Sequence, residues 1–239
     1  MICVGTSTGV PVLKFEAFIF DFAGTLVPTA HLGPDTFRAV LDHFDVDAAA
    51  VEPEFLRFWN RVGSRVGLRQ VMESAVVAQF GSVENHEELA AEMSATFWKV
   101  FSTKSLTTPE APGATALLQE LDSCPVSVAL LSQVRRKDLL AQLNVRGWTR
   151  CFDLILAFED IAVPKPNPYG HHRVTQALGV SPRTAIGFEH SPNGISAAQR
   201  AGLVTAHSSC EGEWNCALDA DLHLLDLHDL RIESRGALA

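Results

Sequence analysis

The sequence lacks the basic clusters on which binding to nucleic acids or anionic membranes depends. Its 239 residues include 19 lysines and arginines against 28 aspartates and glutamates, which gives a formal net charge of −9. The one run of adjacent basic residues is Arg135-Arg136-Lys137, which is short for either kind of surface. We therefore expect neither a nucleic acid nor a membrane as a partner.

From the sequence we expect no paired cysteines, no leader peptide and no membrane span. The five cysteines are odd in number and form no Cys-x-x-Cys pair, so we expect free thiols in a reducing compartment rather than disulfides or a zinc site. Residues 1–14 show no basic segment followed by a long apolar run, and no apolar stretch approaches the roughly 18 residues that cross a membrane. We therefore expect the protein in the cytoplasm.

One short strand is followed by a long helical stretch. Residues 15–21 are mostly apolar and run into a glycine-containing turn, which predicts a buried strand. Apolar residues then recur every three or four positions in four segments, and each segment is predicted to be an amphipathic helix. These segments are residues 36–44, 53–62, 68–80 and 87–101, with N-terminal caps expected at Asp35, Glu52 and Asn85.

From residue 109 onward, strand-like and helix-like segments alternate, as is typical of βαβ units in a parallel sheet. Strands are predicted at residues 126–131, 152–158, 184–188, 203–207 and 222–225, and helices at residues 114–121, 136–143, 169–178 and 194–201. The predicted layout is an α/β core, residues 1–30 and 107–239, with an all-helical insert at residues 31–106. Ligands bind such sheets beyond the carboxyl ends of the strands.

Polar groups follow the first two strands of this core. Asp21 is followed closely by Gly24 and Thr25, so a carboxylate able to attack phosphorus would lie beside the backbone N–H groups of a turn. An aspartate that caps the turn explains the same residues. Ser132, which precedes Gln133, offers a hydroxyl to a phosphate oxygen, although a serine after a strand is also an ordinary helix cap.

Two further motifs follow later strands. Lys165 stands between two prolines, which fix its backbone while its charge can neutralise a phosphoryl group. A solvated lysine in a proline-rich loop is the alternative. Glu189 directly follows a predicted strand and can bind Mg²⁺, or it is an exposed loop residue. The helix at residues 194–201 is rich in small residues, which allows close packing on the sheet.

Taken in this order, the motifs resemble those of the haloacid dehalogenase superfamily. Its pattern is DxDGT, then Ser or Thr, then KPxP, then an acidic pair before SxxGIxAAxxAG, and the likeness extends over essentially the whole chain. The resemblance implies a Rossmann-like parallel sheet with a helical cap that closes over the active site. It also implies Mg²⁺-dependent phosphoryl transfer through an aspartyl-phosphate.

The resemblance gives each motif residue a role. The implied site comprises the nucleophile Asp21, the phosphate-binding Ser132, the charge-balancing Lys165 and, around the substrate, Gly24, Thr25 and Gln133. The implied ligands of Mg²⁺ are Asp21, the backbone carbonyl of Ala23 and Glu189.

Two positions depart from the family pattern. Ala23 stands where most family phosphatases have a second aspartate that acts as acid and base, and His190 replaces one member of the acidic pair. Mg²⁺ prefers oxygen ligands to imidazole, so we expect its binding to be weakened or absent. His190 is expected in the catalytic site, either as a replacement base or as a sign that metal-dependent catalysis has decayed.

The leading hypothesis is a phosphatase that acts on a small phosphorylated metabolite. Arg65 and Arg69 in the helical insert either grip a second polar group of the substrate or face solvent. His31 could reach the site, whereas His171 and His223 are expected on the surface or in the core. The oligomeric state is not indicated.

Two rival functions remain open. Ala23 also resembles the DxAGT motif of phosphonoacetaldehyde hydrolase, a C–P bond hydrolase that forms an imine through a lysine early in its cap. Here Lys99 and Lys104 lie near the end of the insert, and arginine cannot form the imine because it stays protonated. The other rival is a catalytically silent binding protein that keeps the fold and a phosphate pocket.

Overall fold

The structure, a computed structural model, describes residues 2–6, 13–47, 51–61, 65–81, 85–208 and 219–233. The chain divides into two compact units, one formed by Met1–Pro28 with Pro109–Ala239 and the other by Thr29–Thr108. The first unit combines strands and helices, and the second is helical within its described residues. None of the described helices combines the length and the apolar character that crossing a membrane requires.

The elements confirm the predicted alternation of strands and helices. The strands are β1 (Ile2–Thr6), β2 (Leu13–Phe15), β3 (Ala17–Phe20), β4 (Ser127–Leu131), β5 (Leu154–Leu156), β6 (Ala185–Glu189), β7 (Val204–Ser208), β8 (Leu222–Leu224) and β9 (Leu230–Glu233). The α-helices are α1 (Leu32–His43), α2 (Glu52–Arg61), α3 (Arg65–Phe80), α4 (His86–Thr107), α5 (Ala114–Asp122), α6 (Arg136–Arg146), α7 (Tyr169–Leu178) and α8 (Pro192–Arg200). Single turns of 3₁₀ helix lie at Phe158–Asp160, Pro182–Thr184 and Leu227–Asp229.

Six strands of the first unit form one parallel sheet in the order β5-β4-β3-β6-β7-β8. β3 lies at its centre, and all four of its residues are buried. Phe18 and Phe20 pack on one face with residues of α5 and α6, while Ala17 and Ile19 pack on the other face with residues of α7 and α8. A strand buried on both faces reads as a continuous apolar run, which is why residues 15–21 lack polar alternation.

Small residues bring α8 close to the sheet, as the sequence predicts. A Cβ added at Gly187 of β6 would lie 3.3 Å from the Cβ of Ala198 in α8 and 3.3 Å from Leu203 Cδ2. This contact packs α8 closely against β6, the strand that ends at Glu189.

The second unit packs α1 to α4 around an aromatic core. The rings of Phe37 and Phe55 stack with their centroids 4.0 Å apart, and Phe97 packs against Phe55 at 6.0 Å. A Cβ added at Gly33, in the first turn of α1, would lie 2.2 Å from Trp59 Cε2. The interior of this unit is thus built from large apolar side chains, which contribute the dominant free energy of burial.

Two parts of the fold differ from the sequence predictions. β1 pairs antiparallel with β2 and β9 in a separate three-stranded sheet that was not predicted. The predicted caps at Asp35 and Glu52 are wrong, because α1 begins earlier, at Leu32, and Glu52 is already the first residue of α2. Asn85 does precede α4, but its side chain makes no capping hydrogen bond.

Candidate active site

Three of the predicted site residues lie where adjacent parallel strands end. Asp21 directly follows β3, Ser132 directly follows β4, and Glu189 is the last residue of β6. β4 and β6 flank β3 in the sheet, so their carboxyl ends meet at one edge. The sheet therefore brings together residues that lie far apart in sequence.

Lys165 joins this group from the loop before α7. Its Nζ donates to Asp21 Oδ1 at 2.9 Å and to the carbonyl oxygen of Leu131 at 3.4 Å, and it lies 2.7 Å from Glu189 Oε1. The Lys165, Asp21 and Glu189 side chains are 8%, 9% and 1% exposed. One buried ammonium thus contacts one oxygen of each of two buried carboxylates.

His190 lies against the second oxygen of Asp21. Its Nδ1 is 3.0 Å from Asp21 Oδ2, and its side chain is 36% exposed. The ring covers Gly24, where an added Cβ would lie 2.4 Å from His190 Cδ2. Gly24 has φ of 81°, a conformation that side chains rarely adopt. Glycine is required at this position for both reasons.

These contacts keep Asp21 ionised. Burial raises the pKa of Asp21, but the charge of Lys165 and the hydrogen bond from His190 outweigh burial and lower that pKa to about 2. Burial lowers the pKa of Lys165, whereas Asp21 and Glu189 raise it, with a net rise. The carboxylate and ammonium therefore stay charged at neutral pH, and an ionised carboxylate is the form that a nucleophile needs.

The pKa values of the two histidines beside these acids are shifted in opposite directions. Burial lowers the pKa of His190, but the hydrogen bond and charge of Asp21 overcome this, so the pKa of His190 is raised. The pKa of His171 is lowered, because burial outweighs the contact with Glu189. His171 Nε2 lies 3.2 Å from Glu189 Oε1 in the buried interior. The sequence placed His171 on the surface or in the core but did not predict its contact with the site acid.

Hydroxyl groups at this edge of the sheet are buried. Ser132 is 1% exposed, and its Oγ accepts a hydrogen bond from the backbone N–H of Val134 at 3.1 Å. Thr25 is fully buried, and its Oγ1 has no hydrogen-bond partner within the described parts of the chain. Gln133 is half-buried. Ser132 thus caps the turn after β4 and keeps further capacity to bond an anion.

Three residues of the helical unit were predicted to contact the substrate, namely Arg69, Arg65 and His31. Arg69 is exposed on α3 and lies 3.9 Å from Glu87. Arg65 begins α3, but its side chain lies outside the described residues. His31 is exposed just before α1. Their contact with a substrate stays a prediction.

Three side chains at the sheet edge could hold a metal ion. Asp21, Glu189 and His190 each offer a ligand atom, and these atoms lie within 4.8 Å of one another. Glu189 Oε2 is buried and has no hydrogen-bond partner within the described ranges. An added Cβ at Gly194 would lie 2.0 Å from this oxygen, so glycine makes room for the carboxylate. Two carboxylates and an imidazole fit a divalent cation that accepts nitrogen, and fit Mg²⁺ less well.

Comparison with known proteins gives a consistent result. The family model described as haloacid dehalogenase-like hydrolase matches residues 18–207. Validoxylamine A 7'-phosphate phosphatase of Streptomyces hygroscopicus subsp. limoneus is 25% identical over 91% of this chain and 96% of its own length. Phosphorylated carbohydrates phosphatase of Thermotoga maritima is 27% identical over 79% of this chain and 82% of its own length. The structure of β-phosphoglucomutase from Clostridium difficile has a TM-score of 0.69 at 22% identity, covering 89% of this chain and 92% of that chain.

Proposed function

Because the chain belongs to the haloacid dehalogenase-like hydrolases, we propose that it is a phosphatase that acts on a small phosphorylated metabolite through an aspartyl-phosphate on Asp21. The observation that carries this proposal is the buried, ionised Asp21 carboxylate paired with Lys165 at the end of the central strand. Two relatives whose names give phosphorylated substrates support the substrate class. The catalytically silent alternative is less favoured, since a buried charge pair of this kind is costly to keep.

In the first step, a carboxylate oxygen of Asp21 forms a bond to phosphorus. The bond from phosphorus to the leaving oxygen breaks, and that oxygen keeps the electron pair. Such a transition state is stabilised mainly by positioning and countercharge. Lys165 would supply the countercharge, because its ammonium already lies 2.9 Å from Asp21.

Phosphate oxygens would be bound by the groups around Asp21. Thr25 offers a buried hydroxyl without a described partner, and Ser132 offers a hydroxyl with spare capacity. We also assign Gln133 to this set, whereas the backbone N–H of Gly24 already donates to the carbonyl oxygen of Val27 at 2.7 Å. A divalent cation held by Asp21, the Ala23 carbonyl and Glu189 would add positive charge at the phosphoryl oxygens.

In the second step, the oxygen of a water molecule forms a bond to phosphorus and the bond from phosphorus to the Asp21 oxygen breaks. The Asp21 carboxylate is restored, and the protons of the water leave with the phosphate or pass to solvent. Ala23 offers no side chain that could protonate the leaving group or activate this water. His190 Nδ1 faces the nucleophile at 3.0 Å, so this nitrogen is already engaged with Asp21. We therefore propose that the enzyme acts best on substrates whose leaving group needs no protonation, such as acyl or aryl phosphates.

The test is to trap the intermediate. Wild-type protein mixed with acetyl phosphate and quenched in acid should show a phosphoryl adduct by intact-protein mass spectrometry, located on Asp21 by peptide mapping. Asp21→Asn should show no adduct and no phosphate release, and the exposed Asp42→Asn should behave as wild type. Wild-type phosphate release by Asp21→Asn would disprove the proposal.

A further inference from the structure

Lys165 leaves one oxygen of each site carboxylate uncontacted. Its Nζ lies beside Asp21 Oδ1 and Glu189 Oε1. The second oxygen of Asp21 faces His190, and the second oxygen of Glu189 is buried without a hydrogen-bond partner in the described residues. An orphaned buried carboxylate oxygen is costly, so this arrangement calls for a second cation beside the lysine.

The charge of the site leads to the same requirement. Asp21 and Glu189 carry two negative charges, and Lys165 compensates one of them. A phosphorylated substrate brings further negative charge, which the buried site repels when His190 is neutral and the site is therefore net negative. A divalent cation bound to Glu189 Oε2 and to Asp21 Oδ2, in place of the proton between Asp21 Oδ2 and His190 Nδ1, would reverse the sign of the site.

The position of His190 suits a ligand of that cation. Asp21 Oδ2 and His190 Nδ1 are 3.0 Å apart. Two neighbouring ligands at about 2.1 Å from one octahedral ion are separated by about 3.0 Å. The ring is also held in place, since it packs on Gly24 and the buried His207 hydrogen-bonds the backbone of His190.

We propose that His190 is a metal ligand, so that the centre selects ions that accept imidazole nitrogen, such as Mn²⁺, Co²⁺ or Zn²⁺, over Mg²⁺. This inference rests on the proposed function, because it concerns the same site. Mg²⁺ strongly prefers oxygen ligands, whereas divalent ions of the first transition series bind imidazole well. The replacement of an acid by His190 thus changes the choice of metal.

The experiment compares metal binding by wild type, His190→Asp and His172→Asp. His172 is an exposed histidine on α7, so its variant matches the charge change away from the site. Calorimetric titration of metal-free protein gives the ratio of Co²⁺ to Mg²⁺ affinity. This ratio should fall about 10-fold or more in His190→Asp, since changes to outer-shell groups alone cost about 10–100-fold in affinity. His172→Asp should keep the wild-type ratio.

A spectroscopic measurement on wild-type protein needs no variant to fold. Electron spin echo of bound Mn²⁺ should show nitrogen coupling from a directly bound imidazole, and His190→Asp should lose it. Absence of nitrogen coupling, an unchanged Co²⁺ to Mg²⁺ ratio in His190→Asp, or no metal binding at all would each overturn the inference. The Asp21 adduct with acetyl phosphate is measured alongside. If the adduct forms while the metal results fail, only this inference falls; if no adduct forms with any metal, the proposed function falls.

Discussion

The site charges of the α/β unit differ in burial from two ion pairs of the helical unit. In the α/β unit, Asp21, Lys165 and Glu189 are at most 9% exposed. In the helical unit, the ion pairs of Arg38 with Asp35 and of Arg69 with Glu87 have partners that are 49–69% exposed. Buried charges are costly unless each is compensated, whereas exposed pairs contribute roughly 0–1 kcal/mol. The three buried charges thus lie at the candidate site, whereas these two ion pairs of the helical unit lie on the surface.

The largest expected effect comes from breaking the buried network. Lys165→Met should abolish phosphate release and reduce the free energy of unfolding by about 3–5 kcal/mol, because two buried carboxylates lose their common partner. Arg38→Met in the helical unit should cost about 1 kcal/mol or less. Denaturant unfolding of both variants measures the difference. Equal losses for the two would contradict the contrast between the units.

The second prediction adds a charge to the α/β unit. Ala23→Asp supplies the missing acid and base, which typically contributes about 10²–10⁴-fold to the rate. Turnover of alkyl phosphates should therefore rise, and turnover of p-nitrophenyl phosphate should rise less, because that leaving group needs no proton. Steady-state phosphate release checks both. If wild type already hydrolyses alkyl phosphates rapidly and Ala23→Asp gives no gain, another group performs the proton transfer, and His190→Ala is the next variant to measure.

The third prediction compares two glycines, one in each unit, at which the neighbouring side chains leave no room for a Cβ. Gly194→Ala would push against Glu189, and Gly33→Ala would push against Trp59. Overpacking of this kind costs about 1–3 kcal/mol, so both variants should lose stability. Hydrogen exchange should increase in the α/β unit for Gly194→Ala and in the helical unit for Gly33→Ala. Gly194→Ala should in addition weaken metal binding, since it displaces Glu189. An unchanged metal affinity would show that Glu189 is not a ligand of the metal.

The smallest expected effect is a change in the stability of the fold at acidic pH. The pKa of Asp21 is lowered from its ordinary 3.8 to about 2 in the folded protein. The stabilisation linked to this shift is therefore present above about pH 4 and is lost as the pH falls toward 2. Asp21→Asn lacks this carboxylate, so its stability should change less than that of wild type between pH 4 and pH 2. Unfolding midpoints in denaturant across this range give the comparison, and parallel curves for the two proteins would show that Asp21 is not charge-stabilised.

Local sequence patterns predicted much of the α/β unit. The apolar run at β3, the periodicity that gives α7 at Tyr169–Leu178, and the small residues of α8 each determine a local structure. The pairing of β1 with β9 was missed because Cys3 pairs with Glu233 at the far end of the chain, and no local pattern encodes that pairing.

The site shows the same limit. Motif spacing identified Asp21, Lys165 and Glu189, and the structure brings these three together. The contact of His171 with Glu189 depends on how α7 packs against the sheet, which periodicity alone does not give. A histidine on the buried face of a helix, shortly after a motif lysine, was the available signal.

The central position of β3 has a consequence for how the protein folds during synthesis. Ala17 of β3 pairs with Ser127 on one side and Ala185 on the other, and Lys165 lies 144 positions after Asp21 in sequence. While the ribosome is making the helical unit, β3 has neither of its neighbouring strands, and Asp21 has no ammonium beside it. An apolar strand without partners is prone to aggregation. The catalytic edge can therefore form only after β6 has emerged, and a chain halted before that point would leave β3 without either neighbouring strand.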